Sequence, residues 1–516
     1  MRLKEICQQS QGARTMMSRR NFITTSAAGM AGAALGIGIP RPVASVPLAD
    51  DMKWLTALGT SLTDEYDYAP VVEGRLPTAL QGQLFRNGPG LFERNGYRKQ
   101  HLLDGDGMIQ CFDFAGDSVR YRNRFVRTAK FIEEESAGEL RYPTWTTRAP
   151  GGMFANMGPE IKTQAGVTTL IRNSTLLALN EGLPLYTLDP KTLETSGQFE
   201  FPSEAHIPGC KAHTKTDPSN GDWILIGTEY GRTLTIRHLI LDRRGRIKSQ
   251  GQFSTSRMTY VHDFFATEQH IVIVLHAIEF SPLGFLAGAN SFTDALSWVP
   301  EQGNLVMVLD KAGGDPVAFE APAAFMWHSV NAYAAGDEII ADFIGYANPD
   351  HFIGEDPVFK TLMQGEAGNA KYPGKLRRYR IDLKRGSLRE EILDDGHQEF
   401  PTIDPRKLGS DYRYAFMNRS PVGDWTLDGV AIVDMQSGSR DEFRFGPKHF
   451  VSEPIFAPNG DHEGAGWLLA QVQSGITGDN FLAIFDTASV SEGPVAKVHL
   501  THHVPLSFHG YWSAQN

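Results

Sequence analysis

The chain has 516 residues and a mass of 57.0 kDa, a size open to two or three domains or to one large closed all-β unit. With 41% hydrophobic and 21% charged residues it has the composition of a globular protein with a large core. A formal charge of −11, with no basic run after the first 45 residues, excludes nucleic acid as an expected partner.

At the N-terminus, Ser18-Arg19-Arg20-Asn21-Phe22-Ile23 precedes an Ala/Gly-rich apolar run from Ala27 to Ile39 and then Pro40. The pattern predicts a twin-arginine export signal over residues 1–45, cleaved near Val43-Ala44-Ser45 or Pro47-Leu48-Ala49. The apolar run is too short to span a bilayer, and an uncleaved N-terminal helix is the alternative. The expected location is therefore periplasmic or exported, with residues 46–516 forming one domain. Residues 1–45 carry six basic residues and one acidic one, so the remainder stands at −16. Cys7, Cys111 and Cys210 are too few for a disulfide framework, and a single bridge between the last two is left open.

From about residue 80 onward, runs of five to eight apolar or alternating residues end in Gly, Asn, Asp or Pro, as in Trp223–Thr228, Thr233–Leu241, Ile271–Ala277 and Leu305–Leu309. Glu338–Phe343, Leu376–Leu383, Ala431–Met435, Trp467–Val472 and Phe481–Phe485 repeat the pattern. These are strands with turns, and the only helical candidates lie near Lys130–Gly138 and Asp356–Gly365. The fold class is all-β. A propeller of four-stranded blades fits so many short strands better than a sandwich or small barrel, and the lack of a clean repeat predicts divergent blades. The long insertions Glu279–Pro300 and Tyr346–Tyr372 are expected to form a cap of loops and short helices on one face.

Four histidines stand in similar settings: Ala212-His213-Thr214-Lys215, Val261-His262-Asp263-Phe264, Trp327-His328-Ser329 and Phe508-His509-Gly510. Their separations of 49, 66 and 181 residues exclude a finger or a single-helix site, whereas a circular array of sheets brings such distant ligands to one metal. Imidazole suits iron, copper, zinc and nickel alike, so the donor type leaves the metal open.

The histidine motifs occur together with Gly82-Gln83-Leu84-Phe85-Arg86-Asn87-Gly88-Pro89-Gly90, Asp104-Gly105-Asp106-Gly107-Met108 and Tyr121-Arg122-Asn123-Arg124-Phe125-Val126-Arg127-Thr128. In this combination and order, from roughly Pro70 to the C-terminus, the chain resembles the carotenoid cleavage oxygenases. That resemblance implies a seven-bladed propeller with one Fe(II) on its axis held by His213, His262, His328 and His509. It also implies dioxygen as co-substrate and cleavage of a C=C bond to two carbonyl products. Three outer glutamates match the family's positions, Glu181, Glu399 and Glu453, and would orient three of the four imidazoles, leaving His213 without a carboxylate. Which glutamate meets which histidine is left open.

Where many family members read Ala-Asn-Thr-Asn, this chain reads Ala165-Gly166-Val167-Thr168, so Val167 puts a methyl where a hydroxyl stands near an open iron position; tolerated variation is the alternative. Gly105-Asp106-Gly107 lacks the further ligands of a calcium loop and is expected to form a tight turn. Phe264, Trp327 and Phe508 flank ligands and are candidates to wall a tunnel for a lipophilic conjugated substrate. Tyr97 and Lys130 are candidate counterparts of the tyrosine and lysine with which stilbene-cleaving relatives grip a phenol, although a freestanding lysine most often is a surface charge. Phe280–Leu286 reads as a peripheral membrane contact or as a buried loop. The expected activity is oxidative cleavage of a carotenoid or apocarotenoid. The alternatives are the same chemistry on lignostilbene or phenylpropanoid alkenes, an oxygen-independent isomerase, and a non-catalytic polyene-binding propeller.

Overall fold

A computed structural model describes residues 47–158, 160–182 and 184–515. The export signal expected over residues 1–45 lies outside the described residues. Seven sheets of four to six strands, one after another along the chain, make a seven-bladed β-propeller. The blades span residues 168–198, 215–255, 265–321, 325–394, 397–444, 449–500 and, last, the C-terminal strand His509–Ala514 with the N-terminal strands up to Phe125.

Both chain ends close the ring. Val71–Gly74 completes the sixth blade by pairing with Ala496–Leu500, and His509–Ala514 is paired with Gly82–Leu91 in the seventh, Asn87 opposite His509. Closure leaves no open edge between first and last blades.

The hydrophobic pattern explains the stacking. Middle strands are buried on both faces, as in Trp223–Thr228, Gly429–Asp434 and Asn480–Phe485. Outer strands alternate, as in Ile247–Thr255 and Arg440–Arg444, because only one of their faces meets a neighbouring blade. Period-two alternation then divides a single strand between two interfaces. Leu84 packs against the sixth blade and Phe85 against the first, while Leu176 and Ala178 face the seventh blade and Leu177 and Leu179 the second. Seven hydrophobic clusters fill the seven interfaces around the ring.

The cap expected from the two long insertions lies beside the cavity described below. It holds the hairpin Ile278–Phe280/Leu296–Trp298, the short helices Pro282–Leu286 and Val358–Thr361, and the 3-10 turn Leu362–Gln364. A further helix, Ala129–Ala137, starts where the Thr128 hydroxyl accepts the Phe131 N–H and stops at Gly138, whose φ of 68° ends it in the left-handed region. The Asp104–Met108 motif is not a turn: Asp106 and Gly107 lie in the strand Asp106–Ala115. Gly107 is there because its backbone abuts Ala165, whose carbonyl oxygen a Cβ would strike. Cys111 and Cys210 are both buried, free thiols.

Candidate metal centre

Each of the four histidines sits on or just before the first strand of its blade. His213 precedes Lys215–Thr216, His262 precedes Phe265–Ala266, His328 lies in Phe325–Ala335 and His509 opens His509–Ala514. Register breaks on either side of Ser329 distort the strand next to His328, and a break between Glu399 and Thr402 does the same opposite it. The four ligand nitrogens lie within 4.8 Å of one another.

Three of the rings are held from behind by carboxylates. Nδ1 of His262 lies 3.1 Å from Glu181 Oε1, that of His328 2.5 Å from Glu399 Oε2, and that of His509 2.9 Å from Glu453 Oε1. His213 has no carboxylate partner among the described residues. With Nδ1–H donated outward, each of the three rings turns its Nε2 lone pair inward. Nε2 of His213 and Nε2 of His262 stand only 3.0 Å apart. With the Nε2 lone pairs of His262, His328 and His509 turned inward and His213 converging on them, the donor set fits a metal, and its all-imidazole chemistry fits iron among others.

The electrostatics follow from burial. Burial, then the other imidazoles, holds His213 well below the ordinary histidine value. Burial also lowers His262 and His509, opposed by Glu181 and Glu453 respectively. Burial opposes the charged form of His328 too, but Glu399 outweighs it and the net shift is upward.

Outer contacts that the motifs did not flag complete the support. Lys211 Nζ donates to Glu181 Oε2 at 2.8 Å, and the Tyr260 hydroxyl lies 2.9 Å from His262 Nδ1. Arg86, fully buried, donates to the backbone carbonyls of Glu453 at 2.8 Å and Phe508 at 3.2 Å, tying the glutamate loop to the ligand strand. Burial brings its pKa down to about 10, against the pull of Glu453. Phe400 takes a φ of 51°, unusual for an aromatic residue, and stacks its ring on His328 with centroids 5.2 Å apart.

His262, His328 and His509 face a cavity. Trp145, Trp327, Tyr346, Phe359, Phe400 and Phe508 supply much of its wall, and Val167 lies in the same wall as His262, His328 and His509. Trp327 and Phe508 therefore stand where a tunnel residue should.

The other three substrate candidates do not. Tyr97 is 52% exposed on the small hairpin Glu93–Arg94/Tyr97–Arg98 and away from the cavity. Lys130 is neither a surface charge nor a cavity residue: its side chain is fully buried between Asp106 at 2.8 Å and Glu134 at 2.6 Å. Phe264 is buried in the cluster between the second and third blades, where Ile226, Ile236 and Ile271 surround it.

The family model described as "Retinal pigment epithelial membrane protein" matches residues 59–514. The chain is 29% identical over 468 residues to apocarotenoid-15,15'-oxygenase of Synechocystis, covering 88% of this chain and 94% of that one. It is 28% identical over 471 residues to isoeugenol monooxygenase of Pseudomonas putida (86% and 94%), and 25% identical over 468 residues to lignostilbene-alpha,beta-dioxygenase isozyme III of Sphingomonas paucimobilis (86% and 93%). The crystal structure of cobalt-substituted Synechocystis apocarotenoid oxygenase superposes with a TM-score of 0.84 at 28% identity, over 90% of this chain and 99% of that one.

Proposed function

The chain belongs to the retinal pigment epithelial membrane protein family, the carotenoid cleavage oxygenases, and from that premise we propose that it is an Fe(II)-dependent dioxygenase cleaving one C=C bond of a carotenoid or apocarotenoid. That it is an oxygenase follows from the family; the iron and the substrate are our reading. One observation carries it: four imidazoles converge, and the three braced by carboxylates line a cavity walled by aromatic rings. Fe(II) held by His213, His262, His328 and His509 would supply the redox chemistry that activates dioxygen. The protein's own residues do the rest. Trp327, Phe400 and Phe508 pack a rigid conjugated chain against the cluster and exclude water, and Glu181, Glu399 and Glu453 keep the Nδ1 protons outward so that Nε2 stays a donor. Both atoms of dioxygen end in products, one on each new carbonyl.

Delivery of such a substrate is supported by an apolar patch on the cap. Phe154, 83% exposed, and Met153 on the short helix Gly152–Ala155, with Met157 just beyond it, stand beside Leu283, 79% exposed, and Leu286 on the helix Pro282–Leu286, the two segments joined where Gly158 N–H donates to Leu286 O at 2.9 Å. We propose that this patch contacts a membrane surface peripherally. The Arg19-Arg20 leader supports export through the twin-arginine route, tested by sequencing the N-terminus of protein recovered from the periplasm.

The activity is tested by incubating iron-loaded protein with β-apo-carotenals and hydroxylated stilbenes, with and without oxygen, following absorbance and oxygen uptake together. Bleaching of the apocarotenals with matched oxygen consumption is expected. Bleaching of the stilbenes alone transfers the reading to phenolic alkenes, and oxygen-independent change overturns it in favour of isomerisation.

A further inference from the structure

Among the aromatic groups of the cavity wall stands a polar side chain that the metal site does not use. His351 comes from the cap insertion after Tyr346, lines the cavity and is 6% exposed. Trp327 Nε1–H donates to His351 Nε2 at 2.6 Å, and this contact settles the tautomer: with Nε2 accepting, the proton of the neutral ring is on Nδ1. Burial, reinforced by His397 and His101, brings the ring pKa down to about 3, so it stays neutral at any working pH. The Nδ1 atom is buried and has no hydrogen-bond partner among the described residues. The rings against it, Tyr346 at 4.5 Å and Phe359 at 5.3 Å between centroids, present faces and edges. A buried N–H is destabilising until an acceptor arrives, and the ring that carries it lines the cavity.

Resting on the oxygenase reading above, we propose that His351 is a specificity-determining residue whose Nδ1–H hydrogen-bonds an oxygen of the substrate, so that the site takes a conjugated chain bearing a carbonyl or hydroxyl in preference to a hydrocarbon polyene. The placement gives that bond a second consequence. The Trp327 ring that fixes the His351 tautomer also packs edge-on against His262, centroids 4.6 Å apart, so the anchor is one side chain removed from the ligand cluster. A substrate oxygen held there sets which double bond lies opposite the imidazoles. A hydrocarbon leaves the N–H unpaired, and discrimination arises as much from that penalty as from the bond gained.

The test compares a β-apo-carotenal, a para-hydroxystilbene and a hydrocarbon polyene of matched length. Binding is read anaerobically by quenching of tryptophan fluorescence, and turnover separately. In the wild type the oxygenated probe should bind more tightly than the hydrocarbon, by about 5–30-fold, the worth of one buried hydrogen bond. His351→Phe, which keeps a ring but removes both the Nδ1–H donor and the acceptor of Trp327 Nε1–H, should abolish that margin, read as the ratio of oxygenated to hydrocarbon affinity. His351→Asn, whose amide N–H replaces Nδ1–H, should restore part of it. Whether the carbonyl or the phenol probe shows the margin tells which oxygen is read. Equal losses for oxygenated and hydrocarbon probes, or none in His351→Phe, overturn the inference. Discrimination in binding without turnover of any probe keeps the role of His351 and sinks the oxygenase reading, whereas turnover without discrimination does the reverse.

Discussion

Lys211 and Glu181 form a buried ion pair, Nζ 2.8 Å from Oε2, with their side chains 5% and 4% exposed. Burial alone would raise the Glu181 pKa; Lys211 first, and then His262, overcome it and hold the carboxyl below its ordinary value. The glutamate behind His262 is thus itself neutralised from behind, and the ammonium also sits 5.1 Å over the Tyr260 ring. Among the described residues no lysine pairs with Glu399 or Glu453. The hydrogen bond from Gly182 N–H to Cys210 O, 2.9 Å, brings the two segments together.

Lys211→Met strands a buried carboxylate and should destabilise the protein by about 3–5 kcal/mol, whereas Lys211→Met combined with Glu181→Gln removes both charges and should recover most of the loss. Denaturant titration of the wild type and both variants checks this. A double variant no more stable than Lys211→Met would show that Lys211 acts by packing.

Glu399→Gln and Glu453→Gln keep the shape of the side chain and lose the charge that fixes the imidazole tautomer. Each should weaken metal binding by about 10–100-fold with the fold intact, measured by competition against a chelator and by circular dichroism. Metal retention equal to that of the wild type would remove these carboxylates from the role given to them.

Four buried histidines outside the ligand set contribute to acid sensitivity. Burial first of all brings His101 and His351 down to about 3, and His276 and His397 to about 4. Below the unfolded value of about 6.5 the unfolded chain binds protons that the folded one refuses, so stability is full above that pH and falls as pH drops toward the folded values. The slope is about 1.4 kcal/mol per pH unit for each histidine. Replacing His276 with Gln should flatten the fall between pH 6 and 4, read from thermal midpoints; an unchanged slope would assign acid unfolding to other groups.

Phe154→Asp and Leu283→Asp should each reduce sedimentation with neutral phosphatidylcholine vesicles more than tenfold, since burying one such side chain contributes about 1.5–3 kcal/mol. Turnover of a water-soluble probe should stay at the wild-type rate. Unchanged vesicle binding in both variants would sink the membrane contact.

What the sequence determined by itself was the all-β class, most strand positions and the four histidines. Strand alternation and turn residues are local signals, and several motifs in fixed order carry the family. The strand expected at Trp223–Thr228 runs Trp223–Tyr230, and the helix expected near Lys130–Gly138 runs Ala129–Ala137. The tertiary structure alone decided what meets across the ring. Glu181 braces His262, Glu399 His328 and Glu453 His509 because the blades converge on one axis, a relation that no spacing along the chain encodes. Nearness to a motif misplaced three residues for the same reason. Phe264 turns into the cleft between two blades and Tyr97 stands out on a hairpin. Lys130 is buried because Asp106, 24 residues earlier, and Glu134, one helical turn later, both reach its ammonium. A side chain's environment is set by which sheets pack on either side of it, and that becomes definite only when the ring closes.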